Sequence, residues 1–165
     1  MRMAVFLLRG RYGVFSTGLD RIRAKLASAG VPAEISHWGN IQRACNAIMA
    51  DRHGPSVLIG HSLGANASVT IACRLKAAGI PLDLLVTFDP VGTVPLHPVP
   101  SNVRQALNFF QPWPTPYVGH PLAAESPRTA LVNNRRINTH LTIEKTPSDQ
   151  NAVVTAVLAL RCCSN

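Results

Sequence analysis

Hydrophobic positions along the chain switch repeatedly between two periods. Residues 3–8 are apolar throughout and stop at Arg9-Gly10, the pattern of a strand buried on both faces. Thr17-Gly18-Leu19-Asp20 has the form of a capping box. Behind it, Leu19, Ile22 and Leu26 recur at helical spacing as far as Gly30, a stop signal. A short second strand is predicted over Ala33–His37. Asn40 then caps a helix whose inner face carries Ile41, Ala44, Cys45 and Ile48. Ser56–Ile59 is a third strand, Leu63 to Ala78 a helix closed by Gly79, and Leu82–Phe88 a fourth strand. Two weaker strands are predicted at Gln105–Phe110 and Thr129–Asn133. The last helix is capped by Ser148 and turns Val153, Val157 and Leu160 to one side. Apolar strands alternating with helices predict an α/β three-layer sandwich around a mainly parallel sheet of about six strands.

Length and composition keep the reading to one unit. The chain has 165 residues, 47% of them hydrophobic and 15% charged, which suits a single domain over 1–165 with one buried core. The longest apolar runs fall far short of the roughly 20 residues of a membrane span. The N-terminal run is too short, and lacks the small-residue cleavage site, for a signal peptide. Cys45 and Cys73 fall inside predicted helices and Cys162-Cys163 are adjacent. Neither arrangement suits a disulfide framework or a zinc site, so a reducing, cytoplasmic setting is expected.

Charge adds one feature. Sixteen Lys and Arg stand against eight Asp and Glu, a formal net charge of +8, which favours anionic partners. The cations are scattered and not interleaved with aromatics, so nucleic acid is not the expected partner. A small-molecule substrate carrying an anionic group fits the same balance.

The chemistry is concentrated at Gly60-His61-Ser62-Leu63-Gly64, a Gly-x-Ser-x-Gly string. It follows an apolar strand and opens a helix of small residues, Ala65, Ala67 and Ser68. A strand–turn–helix of this kind needs near-absent side chains on both sides of the serine. It lifts the hydroxyl clear of the sheet edge, with a helix N-terminus behind it. Asp89 ends the fourth strand and so brings a carboxylate to the same sheet edge.

In these features the chain resembles the α/β-hydrolase superfamily, in particular its small lipase- and thioesterase-like members. The resemblance runs from Ala4 to about Leu160 and implies a minimal form of that fold, without the two leading strands of the full version. It implies Ser62 as nucleophile and, among six histidines, His140 as its base, since His140 stands between the last strand and the last helix. His97 and His120 are the alternatives; His61 is expected to be structural, turned away from the hydroxyl. Asp89 is implied as the acid in the order Ser, acid, His. Many superfamily members carry the acid one strand later, where this chain has Gln111. An oxyanion hole is implied at the backbone N–H groups of Leu63 and Arg11. Family members often carry His-Gly-x in the loop after the first strand; here it reads Arg9-Gly10-Arg11-Tyr12-Gly13.

Nine of thirteen prolines lie between Pro90 and Pro127, in long loops at the strand ends where open sheets bind ligands. Tyr12, Trp113 and Tyr117 are candidates to line an acyl pocket. No metal or cofactor motif is present, so none is expected. The function implied is hydrolysis of a carboxylic ester or thioester through a Ser-His-Asp triad and an acyl-enzyme. The same triad serves an acyltransferase or amidase, and the same fold can persist as a binding protein without turnover.

Overall fold

The computed structural model describes residues 3–50, 54–92, 97–113 and 118–162. Six strands form one sheet: β1 (Ala4–Arg9), β2 (Glu34–His37), β3 (Ser56–His61), β4 (Leu82–Phe88), β5 (Val103–Phe110) and β6 (Ala130–Arg135). Their order is β2-β1-β3-β4-β5-β6, and every pairing is parallel rather than merely most of them. Four helices cover it: α1 (Thr17–Ser28), α2 (Ile41–Ala50), α3 (Leu63–Ala77) and α4 (Pro147–Cys162).

Strand periodicity divides the apolar residues between two cores. Phe6, Leu8, Leu58 and Leu85 point to the face covered by α2 and α3, where they meet Ile48, Ile71 and Leu75. Their neighbours Val5, Leu7, Val57, Ile59, Leu84 and Val86 point the other way, onto Leu19, Ile22 and Leu26 of α1 and Val153 and Val157 of α4. The inner strands β1, β3 and β4 are apolar at consecutive positions because both their faces are buried.

The central crossing is tight. A Cβ on Gly64 would overlap the Leu8 carbonyl oxygen, and one on Gly60 would overlap the Gly64 carbonyl. The Gly-x-Ser-x-Gly spacing therefore lets the start of α3 lie directly on β1 and β3.

Two predicted caps are corrected. α1 begins at Thr17, and Ser16, in the N-cap position, makes no side-chain capping bond. Its hydroxyl bonds elsewhere, and Asp20 pairs with Arg9 at 2.6 Å. α4 begins at Pro147, not after Ser148, because proline's fixed φ suits the first helical position and its missing N–H costs nothing there. Among the described residues no helix is long and apolar enough to cross a membrane.

Candidate active site

Ser62 stands between β3 and α3 with φ 59° and ψ −127°. That is a backbone conformation costing on the order of 1–3 kcal/mol for a side-chain-bearing residue. It is held by the Ser62 N–H donating to the Phe88 carbonyl at 2.9 Å and by the first turn of α3 bonding back to the Ser62 carbonyl. Asp89, at the end of the neighbouring strand, also has positive φ, 51°. Its N–H donates to Phe109 O at 2.7 Å.

These turns and the loop after β6 bring three side chains into line. Ser62 Oγ lies 3.0 Å from His140 Nε2, and His140 Nδ1 lies 2.6 Å from Asp89 Oδ2. Asp89 is fully buried, and as a carboxylate it only accepts. The proton between them is therefore on Nδ1, which leaves Nε2 free to accept from the serine. The structure thus joins the three predicted triad residues, while His97 and His120 stay outside the chain of bonds. His120 instead packs against Gly92.

The loop after β1 passes beside the serine: a Cβ on Gly10 would stand 3.0 Å from Ser62 Cβ. Arg11 and Leu63 both line the cleft above Ser62. Leu63 is the first residue of α3, where backbone N–H groups lack intrahelical partners. The cleft holds about 510 Å³, and Tyr12, Phe15, Leu63, Val91 and Leu141 give it largely apolar walls. Arg9 turns away to Asp20, whereas Arg11 stays at the cleft with its guanidinium 5.8 Å from the Tyr12 ring centre.

Of the predicted lining residues, Tyr12 lines the cleft and Trp113 does not. After β5 the Trp113 N–H donates to Gln111 Oε1 at 3.0 Å, and the indole is exposed. Tyr117 lies outside the described residues.

His61 does turn away from the hydroxyl, and its role is larger than a packing residue's. Its Nε2–H donates to the His140 carbonyl at 2.9 Å, while Nδ1 accepts from Ser16 Oγ at 2.9 Å. Ser16 Oγ in turn accepts the Gly10 N–H at 3.1 Å. One imidazole thereby ties the His140 backbone to the loop beside Ser62. Nothing local marks Ser16 for this, because its partner lies 45 residues away in sequence. Asn66 is likewise silent in the sequence; its side-chain amide bonds both the N–H and the carbonyl of Val91 at 3.0 Å, pinning the loop after Asp89.

Behind His61 lies a second carboxyl, Glu144, fully buried, with Oε2 3.9 Å from His61 Nε2 and no hydrogen-bond partner for that oxygen among the described residues. Burial lowers the His61 pKa from 6.5 to about 4, and the nearby His140 adds to the effect. Burial likewise raises that of Glu144 from 4.5 to about 7. Both groups are therefore favoured neutral.

Their effects on stability oppose each other. His61 binds its proton more weakly folded than unfolded, so its contribution is lost as pH falls from 6.5 toward 4. Glu144 binds its proton more tightly when folded, so its contribution is lost as pH rises from 4.5 toward 7. A Glu144→Gln chain is expected to retain only the histidine slope. Its stability should then climb by on the order of 2–3 kcal/mol from pH 4 to 6.5, where the wild-type curve is flatter. Urea unfolding across that range tests this, and identical pH curves for the two chains would refute it.

No protein-family model matches the chain, and no curated protein matches it. Solved structures do. The type II thioesterase BorB from the borrelidin biosynthetic cluster is 13% identical, with 95% of this chain and 93% of that one covered and a TM-score of 0.63. Human thioesterase 2 is 12% identical, with 96% and 97% covered and a TM-score of 0.60. An alpha/beta-superfamily protein from Xanthomonas campestris pv. campestris is 16% identical, with 99% of both chains covered and a TM-score of 0.51. At these identities the likeness concerns the fold: this chain has a minimal α/β-hydrolase fold.

Proposed function

We propose that this protein is a serine hydrolase that cleaves carboxylic esters or thioesters. The observation that carries the reading is the unbroken chain Ser62 Oγ, His140 Nε2, His140 Nδ1, Asp89 Oδ2, at 3.0 and 2.6 Å, opening on an apolar cleft. Ser62 attacks the acyl carbonyl as His140 takes its proton. Asp89 holds the imidazole in the tautomer required and stabilises the imidazolium. The Leu63 and Arg11 N–H groups receive the negative charge that develops on the carbonyl oxygen. His140 then gives its proton to the leaving alcohol or thiol, and the same histidine activates water to release the acid.

The cleft's side chains favour an apolar acyl group. Arg11, exposed at its rim, favours a substrate that also carries an anionic group. The described cysteines, Cys45, Cys73 and Cys162, are all free thiols, in keeping with a reducing compartment such as the cytoplasm.

A fluorophosphonate probe tests the reading, with the adduct mapped by peptide mass and p-nitrophenyl butyrate turnover followed in parallel. One adduct on Ser62 is expected, absent in Ser62→Ala and strongly slowed in His140→Ala. A folded wild-type chain that neither labels nor hydrolyses the ester would be a binding protein on this fold.

A further inference from the structure

The residue after β5, Gln111, stands where many members of the superfamily carry their acid, and here it reaches across to Asp89. Its backbone N–H donates to Asp89 Oδ1 at 3.0 Å and its Nε2 to Asp89 Oδ2 at 3.3 Å. The amide cannot easily turn over, because Oε1 already accepts the Trp113 N–H at 3.0 Å. The Gln111 carbonyl also accepts the Gly119 N–H at 3.0 Å. This brings Gly119 so close to the carboxylate that a Cβ there would overlap Asp89 Oδ1.

Building on the hydrolase reading, we propose that Gln111 is a positioning residue for catalysis. It fixes the plane of the Asp89 carboxylate, so that Oδ2 is presented to His140 and Oδ1 is engaged elsewhere.

The need for such a clamp follows from the turn itself. Asp89 sits in the left-handed region and is followed by Pro90, so its immediate neighbours offer little to orient the side chain. Rotation of the carboxylate about its own axis would exchange the oxygens and lengthen the 2.6 Å bond to His140. Donors on both oxygens prevent that rotation. They also supply positive dipoles to a carboxylate that is fully buried. Gln111 touches neither Ser62 nor, on this reading, the substrate; it acts through Asp89.

Two substitutions separate positioning from packing. Gln111→Met keeps the volume and the backbone donor but removes the side-chain amide. Gln111→Glu keeps the shape and replaces the donor by a second carboxylate beside the first. The readout is fluorophosphonate labelling of Ser62, resolved into the limiting rate and the half-saturating probe concentration, from pH 5 to 9.

The Met chain is expected to lose about 10- to 100-fold in the limiting rate, with half-saturation changed less than about twofold, as a misplaced catalytic group would cause. In the Glu chain the buried carboxyl pair shares one proton; as rising pH removes it the donor becomes a like charge, so the limiting rate should fall over a limb that the wild-type profile lacks. Nearby ionisable groups, His61, Glu144 and Lys145, are common to all the chains. Wild-type rates and a wild-type pH profile in both variants would overturn the proposal, whatever their melting temperatures. If the Met chain does not fold, Gln111→Ala, which removes the same amide, decides instead. Failure of the wild-type chain to label would instead remove the hydrolase reading itself.

Discussion

An Asp89→Asn chain is expected to fold and to lose about four orders of magnitude in turnover, the scale found when a triad acid becomes an amide. The structure gives the reason in terms of hydrogen-bond direction. The Gln111 backbone N–H points at Oδ1 from 3.0 Å, and only an oxygen satisfies it there. The asparagine amide must then place its NH2 group where Oδ2 stood, against His140 Nδ1. Nδ1 is obliged to accept, the ring proton moves to Nε2, and Nε2 can no longer take the proton of Ser62. The same NH2 group faces the Gln111 side-chain NH2, donor against donor. Some loss of stability, on the order of 1–3 kcal/mol, should accompany the loss of activity. Burst-phase kinetics with a p-nitrophenyl ester, beside a denaturant titration, measure both. Turnover within tenfold of wild type would show that Asp89 does not serve His140.

Residues of two kinds meet at this site, and the sequence exposes them unequally. Ser62, Asp89 and His140 are legible because each ends a segment with its own pattern. An apolar strand runs into Ser62, another into Asp89, and His140 precedes the last helix. Parallel strands deliver such ends to one edge, so a one-dimensional pattern already implies a three-dimensional meeting. The strands themselves were legible for a related reason: burial on both faces leaves runs such as Val57-Leu58-Ile59 without a polar break.

Ser16, Gln111 and Gly119 belong to the second kind. Each is an ordinary loop residue whose role depends on a partner reached through tertiary structure, as Gln111 reaches Asp89 from 22 positions away. The mistaken caps have the same origin. Local rules assign Thr17 and Asp20 to the start of α1, but Asp20 pairs with Arg9 and the cap-position hydroxyl of Ser16 goes to His61. A capping bond worth about 1 kcal/mol is readily given up when tertiary partners compete for the same side chain. Trp113 stands outside the cleft, and an aromatic in a proline-rich loop carries no sign of which way its ring faces.

The largest structural effect is expected from a single methyl group at Gly64. Its absent side chain faces the Leu8 and Arg9 carbonyl groups of β1, and an added Cβ would overlap backbone rather than the tip of a flexible side chain. Neither wall can yield locally. Leu8 is bonded into the sheet between β2 and β3, and α3 is packed by Ile71 and Leu75 into the core on that face. Relief requires α3 to shift as a body, which opens that core and reorients the Leu63 N–H at its first turn. Gly64→Ala should therefore cost more than about 3 kcal/mol. For a chain of this size that is a melting temperature lower by roughly 6–12 °C, with labelling of Ser62 lost in the fraction that remains folded. Gly79 makes the comparison informative. It lies at the other end of α3 with φ +68°, and a Cβ there would meet nothing within 4 Å. Gly79→Ala should cost only the left-handed backbone penalty of about 1–2 kcal/mol and leave labelling intact. Equal melting temperatures for the two variants would mean that the close crossing of α3 over β1 is not what the glycine at position 64 provides.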